Sequence, residues 1–199
     1  MTVAAGHGLL ARLERAVASH APTLADAADD VRRAAVAAIL RGDHAGSADL
    51  LFIKRAVFEG DPWSGQVALP GGRHEPADAS LVHTAMRETH EEIGADLGAV
   101  ARLVGALDEL HPRTAVLPPI VVRPHLFVAE QPLILSLSDE VADVFWVPLA
   151  TLLDPATRHV SEVAPRGYRM RVPSYVVGEH VIWGMTERIL DGLLGLVRG

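Results

Sequence analysis

The sequence predicts an α/β protein in which a mixed β-sheet is layered with helices. Two observations support this fold class. Apolar and β-branched segments recur between residues 48 and 183, and amphipathic helix patterns stand before, between and after them. With 199 residues, 49% of them hydrophobic, the chain has enough apolar material for a single core. We therefore expect a main domain over residues 46–199 and a helical extension over residues 1–45 that packs on it.

The N-terminal segment has two Ala-rich amphipathic patterns. They predict helices over residues 8–20 and 29–41. Asp29 or Asp30 would cap the start of the second helix, and Gly42 would end it. No linker composition separates these helices from the rest of the chain.

The remaining elements alternate between strand and helix patterns. The predicted strands cover residues 48–54, 65–69, 101–108, 119–128, 143–147 and 172–183, the last broken into two pieces by Gly178. Helices are predicted over 79–93, 148–153 and 184–197, with Asp78 as the N-cap of the first.

Charge and composition exclude several function classes. The net charge of −7 argues against broad binding to nucleic acid or to an anionic membrane surface. The chain has no cysteine, which excludes disulfides, thiolate catalysis and cysteine-based zinc sites, and fits a cytoplasmic protein. No uncharged apolar run approaches about 18 residues, and the N-terminus lacks the apolar core of a signal peptide. The sequence leaves the oligomeric state open, including a homodimer.

Three glutamates on one predicted helix are the main functional signal. At about 100° per residue, Glu88, Glu91 and Glu92 fall within roughly a 100° arc, away from the apolar side of the helix. Like charges at this spacing repel, and a hard divalent cation would relieve the repulsion. The helix follows Gly71 and Gly72, two residues free to take positive φ, so a backbone carbonyl can turn toward the same cation. The alternative is a solvated helix face without a metal.

The segment around these glutamates resembles the Nudix box, the signature of metal-dependent pyrophosphohydrolases. Arg87-Glu88, Glu91-Glu92 and Gly94 match its most informative half. The chain departs from the pattern at several positions: Thr89 and Ala95 are weak at its aliphatic positions, one extra residue lies between Gly72 and Arg87, and Ala79 stands where the pattern has Glu. The opening Gly-Gly-x-x-acid-x-x-Asp, residues 71–78, is similar to the coenzyme A pyrophosphatase branch, which carries the same extra residue.

Two other segments resemble the same branch. Upstream, Arg55 and Gly65 match its second signature in position, whereas Leu69 replaces a Phe and Asp61 stands where the branch often has Arg. Near the C-terminus, residues 183–186 are similar to a Trp-Gly-x-Thr element of the branch. Asp61 removes a cation that would meet the extra phosphate of coenzyme A.

The resemblance implies an α/β/α sandwich and a specific set of site residues. Mg²⁺ or Mn²⁺ would be held by Glu88, Glu91, Glu92 and the carbonyl of Gly72. Arg87 would orient the glutamates and, with Glu88 and Glu91, form the catalytic set. The general base stays open between Glu88 and a carboxylate from a later loop, Glu140 or Asp139.

The implied substrate is coenzyme A or a derivative, cleaved to 3′,5′-adenosine bisphosphate and 4′-phosphopantetheine. The substrate would be bound by Arg55, Arg73 and Arg113, which flank the glycine turn. The alternatives are another nucleoside diphosphate derivative, such as NADH, ADP-ribose, a dinucleoside polyphosphate or a nucleoside triphosphate, and a non-catalytic Nudix ligand sensor.

The ten histidines do not predict a zinc site. His90 follows Thr89 in the glutamate helix but lacks the second histidine of a His-Glu-x-x-His motif. It would project about 160° from the centre of the carboxylate face, so we expect no metal contact from it.

Overall fold

A computed structural model describes residues 4–28, 30–42, 48–59, 63–112 and 119–198. Within these ranges the chain forms five α-helices and ten β-strands. The helices are α1 (Ala4–Ser19), α2 (Leu81–Ile93), α3 (Leu97–Val100), α4 (Leu149–Leu153) and α5 (Met185–Gly195). The strands are β1 (Arg32–Gly42), β2 (Ala48–Arg55), β3 (Val67–Ala68), β4 (Gly71–Arg73), β5 (Ala101–Ala106), β6 (Ile120–Ala129), β7 (Val141–Pro148), β8 (Arg158–Val163), β9 (Met170–Val177) and β10 (His180–Trp183).

The main sheet is mixed and has seven strands. Its central order is β3-β2-β1-β6-β5, with β1 and β6 parallel and the other pairs antiparallel. Strand β4 pairs with the beginning of β1, and β2 pairs with its end, so the turn between β3 and β4 sits beside the middle of β1. Strands β8, β9 and β10 form a separate antiparallel sheet.

Helices cover both faces of the main sheet. One buried cluster joins α1, α4 and α5 to one face, and a second joins α2 and α3 to the other. This layering confirms the predicted α/β/α architecture. The parts of the chain that the structure describes hold no helix long and apolar enough to span a membrane.

The predicted second helix, over residues 29–41, is wrong. Residues 32–42 form strand β1 in the middle of the main sheet, and its alanines are buried on both faces of the sheet. Alanine favours helices in isolation, but its small side chain also lets helices approach both faces of a central strand closely. Of the helices predicted for the N-terminal extension, α1 is therefore the one that forms. Asp29, one of the two proposed caps, lies outside the described residues.

The helix that carries the glutamates has a different N-cap from the predicted one. Ser80 caps α2 and its hydroxyl accepts a hydrogen bond from the backbone N–H of His83 at 3.3 Å, while Asp78 is bonded to Arg87 instead. The other predicted strands and helices are confirmed, although the strand predicted over residues 65–69 covers only Val67–Ala68. Strands β4 and β8 and helix α3 were not predicted.

Candidate active site

The turn from Leu69 to Gly72 lies against the middle of strand β1. The carbonyl of Pro70 accepts a hydrogen bond from the backbone N–H of Ala37 at 2.8 Å. Gly71 has φ +147°, and a Cβ atom there would collide with the backbone of β1 at Ala35 and Val36. Only glycine therefore fits at this point of the turn.

Glu92 is buried directly beneath this turn. Only 4% of the residue is exposed, and its carboxylate accepts a hydrogen bond from the backbone N–H of Gly71 at 2.8 Å. Burial raises the pKa of Glu92 to about 7, against the lowering effect of the Gly71 N–H and of Arg55, whose Nη1 atom is 3.9 Å from Oε1 of Glu92. The nearby carboxylates of Glu88 and Glu140 raise this pKa further.

Glu88 lies against the other glycine of the turn. A Cβ atom on Gly72 would be 2.5 Å from the carboxyl carbon of Glu88, so the absence of a side chain lets the carboxylate approach the backbone. Burial raises the pKa of Glu88, and the Arg87 guanidinium, with Nη1 at 3.1 Å from Oε1, partly offsets this. The charges of Glu91 and Glu140 act in the same direction as burial.

Arg87 connects the glutamates to the turn. Its Nη1 atom donates to Glu91 at 2.8 Å, and its Nη2 atom donates to the carbonyl of Arg73, the residue after Gly72, at 2.9 Å. The Glu91 side chain is 56% exposed. The predicted bracing of Glu91 by Arg87 is thus present in the geometry.

Asp78 holds the opposite edge of the Arg87 guanidinium. Its two carboxylate oxygens accept hydrogen bonds from Nε at 2.9 Å and from Nη2 at 3.0 Å. These bonds hold the pKa of Asp78 well below its usual range, although burial opposes them. Sequence reasoning missed this pair, because Asp78 was interpreted as a helix cap; the acid-x-x-Asp opening was the available signal.

Glu140 is exposed and directly precedes strand β7, beside the end of β2. Its carbonyl accepts a hydrogen bond from the backbone N–H of Ala56, one residue beyond the end of β2, at 2.8 Å. Its charge acts on both Glu88 and Glu92. Of the two loop carboxylates predicted as alternative bases, Glu140 has a charge that raises the pKa of Glu88 and of Glu92.

The donor atoms suit a hard cation, although the described residues do not form a finished ligand set. Within the described ranges, no three acidic or histidine side chains converge as a metal-binding group. The oxygens of Glu88 and Glu91 contact Arg87 instead. The chemistry nevertheless fits, because Glu88 and Glu92, whose pKa values are raised, lie against the two glycines of the turn and offer oxygen ligands of the kind that a divalent ion takes.

Two of the three arginines predicted to bind the substrate lie in the described structure. Arg55 ends strand β2 beside Glu92, and Arg73 is exposed at the end of β4. The structure thus brings both to the glycine turn. Arg113 lies outside the described residues, and so does Asp61, which stands where the coenzyme A pyrophosphatase branch often has Arg.

His90 lies apart from the glutamates, as predicted. It is exposed and lines a depression that Asp78 and Arg87 also line, whereas none of the three glutamates lines this depression. Of the C-terminal Trp-Gly-x-Thr element, Thr186 is buried and its hydroxyl donates to the carbonyl of Val67 in β3 at 3.2 Å.

Comparison with known proteins agrees with this geometry. Residues 31–166 match the NUDIX domain family, so the chain belongs to the Nudix family and is a Nudix hydrolase. Members of this family generally use divalent metal ions.

The chain also resembles individual proteins of the family. It is 37% identical over 133 residues to the uncharacterized Nudix hydrolase NudL of Photorhabdus laumondii, covering 65% of this chain and 67% of that protein. It is 34% identical over 135 residues to the human mitochondrial coenzyme A diphosphatase NUDT8, covering 67% of this chain but only 56% of that protein.

Solved structures support the fold. A MutT/nudix family protein from Enterococcus faecalis superposes with a TM-score of 0.55 at 19% identity, over 87% of this chain and 64% of that one. A C. elegans Ap4A hydrolase binary complex gives 0.51 at 22% identity, over 63% of this chain and 86% of that one. At these identities the likeness concerns the fold alone.

Proposed function

We propose that the chain hydrolyses the diphosphate bond of coenzyme A or a coenzyme A derivative in a reaction that depends on Mg²⁺ or Mn²⁺. The observation that carries the proposal is the placement of Glu88 against Gly72 and of Glu92 beneath Gly71, beside Arg55. Coenzyme A is favoured over other nucleotides by the resemblance to the human coenzyme A diphosphatase and by the opening Gly71–Asp78. A cytoplasmic location and a homodimer remain predictions.

In this proposal the ligands are Glu88, Glu91, Glu92 and the carbonyl of Gly72. A bound divalent ion offsets charge on the diphosphate and lowers the pKa of water. Arg87 keeps Glu88 and Glu91 at the turn through its Nη1 atom.

The protein's part in the reaction is to position groups and remove a proton. Arg55 lies where it can contact an anionic group of the substrate, as does Arg73 on the other side of the turn. A carboxylate removes a proton from water as the water oxygen bonds to one phosphorus. The bond from that phosphorus to the bridging oxygen breaks, and the second phosphate leaves. For coenzyme A the products are 3′,5′-adenosine bisphosphate and 4′-phosphopantetheine.

We favour Glu140 as the proton acceptor, with Glu88 as the alternative. Glu140 carries no ligand role in this proposal, and its charge acts on Glu88 and on the buried Glu92. Glu140→Gln should then lower kcat by about 100-fold while Mn²⁺ affinity stays within about twofold. Asp139→Asn is the matched control, since it removes a charge from the adjacent residue and should have little effect. If Glu140→Gln keeps normal turnover, the base is Glu88.

A substrate screen tests the function itself. Phosphate-ester products should be measured with coenzyme A, NADH, ADP-ribose, diadenosine polyphosphates and nucleoside triphosphates, each with Mg²⁺, with Mn²⁺ and with chelator. We expect the highest kcat/KM with coenzyme A or an acyl derivative and no turnover with chelator. A clear preference for another substrate would replace coenzyme A in the proposal. Mn²⁺ binding without hydrolysis of any of these compounds would favour a ligand sensor.

Glu91→Gln and Glu92→Gln test the ligand set. Each variant removes one charge and keeps the shape of the side chain, so we expect turnover at fixed Mg²⁺ to fall by at least about 100-fold. Near-normal activity in either variant would show that the proposed ligands are wrong.

A further inference from the structure

All the donors of the Arg87 guanidinium are directed to specific partners. On one edge, Nε and Nη2 donate to the carboxylate of Asp78, and Nη2 also donates to the carbonyl of Arg73. On the other edge, Nη1 lies 2.8 Å from Glu91 and 3.1 Å from Glu88. The same planar group therefore joins a fixed carboxylate to two carboxylates of the candidate metal site.

Asp78 is itself held rigidly. Its side chain is 5% exposed, and its Oδ2 atom accepts hydrogen bonds from the backbone N–H of Glu75 at 3.0 Å and from the Thr84 hydroxyl at 2.9 Å. The Thr84 hydroxyl is in turn 2.8 Å from Nδ1 of His74. Thr84 is fully buried on α2, so the helix itself supports the carboxylate that orients Arg87.

This arrangement accounts for the extra residue and for Ala79, two of the departures from the box pattern. The position eight residues before Arg87 is Ala79, which is exposed and has no carboxylate to offer. Asp78 precedes it by one residue and follows a turn closed by the hydrogen bond from its N–H to the carbonyl of Glu75 at 2.9 Å. The turn that contains the extra residue directs Asp78, rather than residue 79, toward the guanidinium.

We propose that Asp78 is the positioning residue of this site: held by Thr84, it fixes Arg87 and through it the orientation of Glu88 and Glu91 toward the metal. The inference rests on the proposed function, because the orientation matters only if these glutamates bind a metal. Asp78 touches neither the metal nor the substrate in this scheme. Without it, the guanidinium would keep the glutamates as its strongest partners and would compete with the metal for their oxygens.

The test measures Mn²⁺ affinity directly, by electron paramagnetic resonance of free Mn²⁺, together with thermal unfolding and turnover. Asp78→Asn keeps the size of the side chain and removes its charge. We expect its Mn²⁺ affinity to fall by about tenfold or more, the usual scale for a residue that orients metal ligands. Thr84→Val removes the supporting hydroxyl and should produce a smaller loss in the same direction. Glu75→Gln, which changes an exposed acid of the same turn, is the matched control and should bind Mn²⁺ as the unchanged chain does.

A conservative variant separates positioning from general damage. Asp78→Glu keeps a carboxylate at the same position of the turn, and it should recover part of the Mn²⁺ affinity that Asp78→Ala loses. Equal losses of Mn²⁺ affinity in the two variants would count against a positioning role of the charge.

The outcomes distinguish this inference from the proposed function. Normal Mn²⁺ affinity in a folded Asp78→Asn protein would overturn the role of Asp78 and leave the metal site intact. Failure of the unchanged chain to bind Mn²⁺ would overturn both. If Asp78→Asn does not fold, the same measurement on Thr84→Val decides, and unchanged affinity there would count against the inference.

Discussion

Gly72 and Glu88 are in direct contact across the turn that opens the candidate site: a Cβ atom on Gly72 would stand 2.5 Å from the Glu88 carboxyl carbon. The contact joins strand β4 to helix α2. The absence of a side chain on Gly72 therefore determines how closely the Glu88 carboxylate can approach the turn.

Gly72→Ala should therefore displace Glu88 and lower turnover by about 100-fold, because a shift of about 1 Å in a catalytic group has effects on this scale. The change in unfolding free energy should be modest, since Gly72 does not have the positive φ that disfavours alanine. Gly192→Ala is the matched control: it lies in α5, a Cβ atom there meets no other atom within 4 Å, and turnover should be unchanged. Equal turnover in both variants would contradict the role of the contact.

Glu92 gives a prediction for stability against pH. Burial raises its pKa from 4.5 to about 7, so the folded protein binds this proton more tightly than the unfolded chain. Its stabilising contribution is complete below pH 4.5 and is lost as the pH rises toward 7. In buffer with chelator, Glu92→Gln should thus gain about 2–3 kcal/mol of unfolding free energy relative to the unchanged chain between pH 5 and pH 8, as measured by urea denaturation.

Glu91→Gln is the control for that measurement. The Glu91 side chain is 56% exposed, so its replacement removes the same charge without relieving a buried one. A stability difference for Glu92→Gln that does not change with pH would mean that Glu92 is not the group that titrates.

The two faces of α2 should respond differently to substitution. His90→Ala should leave turnover and metal dependence within a few-fold, because His90 is exposed and lines a depression that none of the three glutamates lines. Arg87→Ala should lower turnover far more than His90→Ala at comparable thermal stability, since Arg87 holds Glu88 and Glu91. A folded but inactive His90→Ala protein would contradict the assignment of the two faces.

The substrate proposal predicts discrimination by one phosphate group. If the 3′-phosphate of coenzyme A is bound by an arginine, dephospho-coenzyme A should have a kcat/KM lower by roughly tenfold or more, the scale of one charge-assisted contact. Arg55→Ala should shrink this ratio. The ratio is the right measure because Arg55 also lies beside Glu92, so its loss will alter both rates through the site itself.

Arg73→Ala provides the comparison, since Arg73 flanks the other side of the turn. If both arginine variants leave the ratio of the two kcat/KM values unchanged, neither arginine binds the 3′-phosphate. Equal rates on the two compounds in the unchanged chain would remove the argument for coenzyme A.

Local patterns predicted the glutamate helix well. The three-and-four spacing of Glu88, Glu91 and Glu92 and the apolar side opposite them are properties of a few adjacent turns, and Gly94 ends α2 in the left-handed conformation expected of a helix-ending glycine. These features need no information from distant parts of the chain.

Long-range packing explains the failures. The alanines of strand β1 favour a helix in isolation, and its pairing with β2, β4 and β6 makes it a strand. The role of Asp78 was missed for a related reason. An aspartate before a helix is a typical N-cap, and the contact of Asp78 with Arg87 depends on the conformation of the turn between them.

The alanines of β1 also act as a spacer. Ala35 and Ala37 share a buried cluster with Ala85 of α2, so the gap between helix and sheet is set by methyl groups. A larger side chain at Ala35 would raise the helix from the sheet and carry its glutamates away from the glycine backbone. Fully buried alanines therefore set the distance between the glutamates of α2 and the glycine turn.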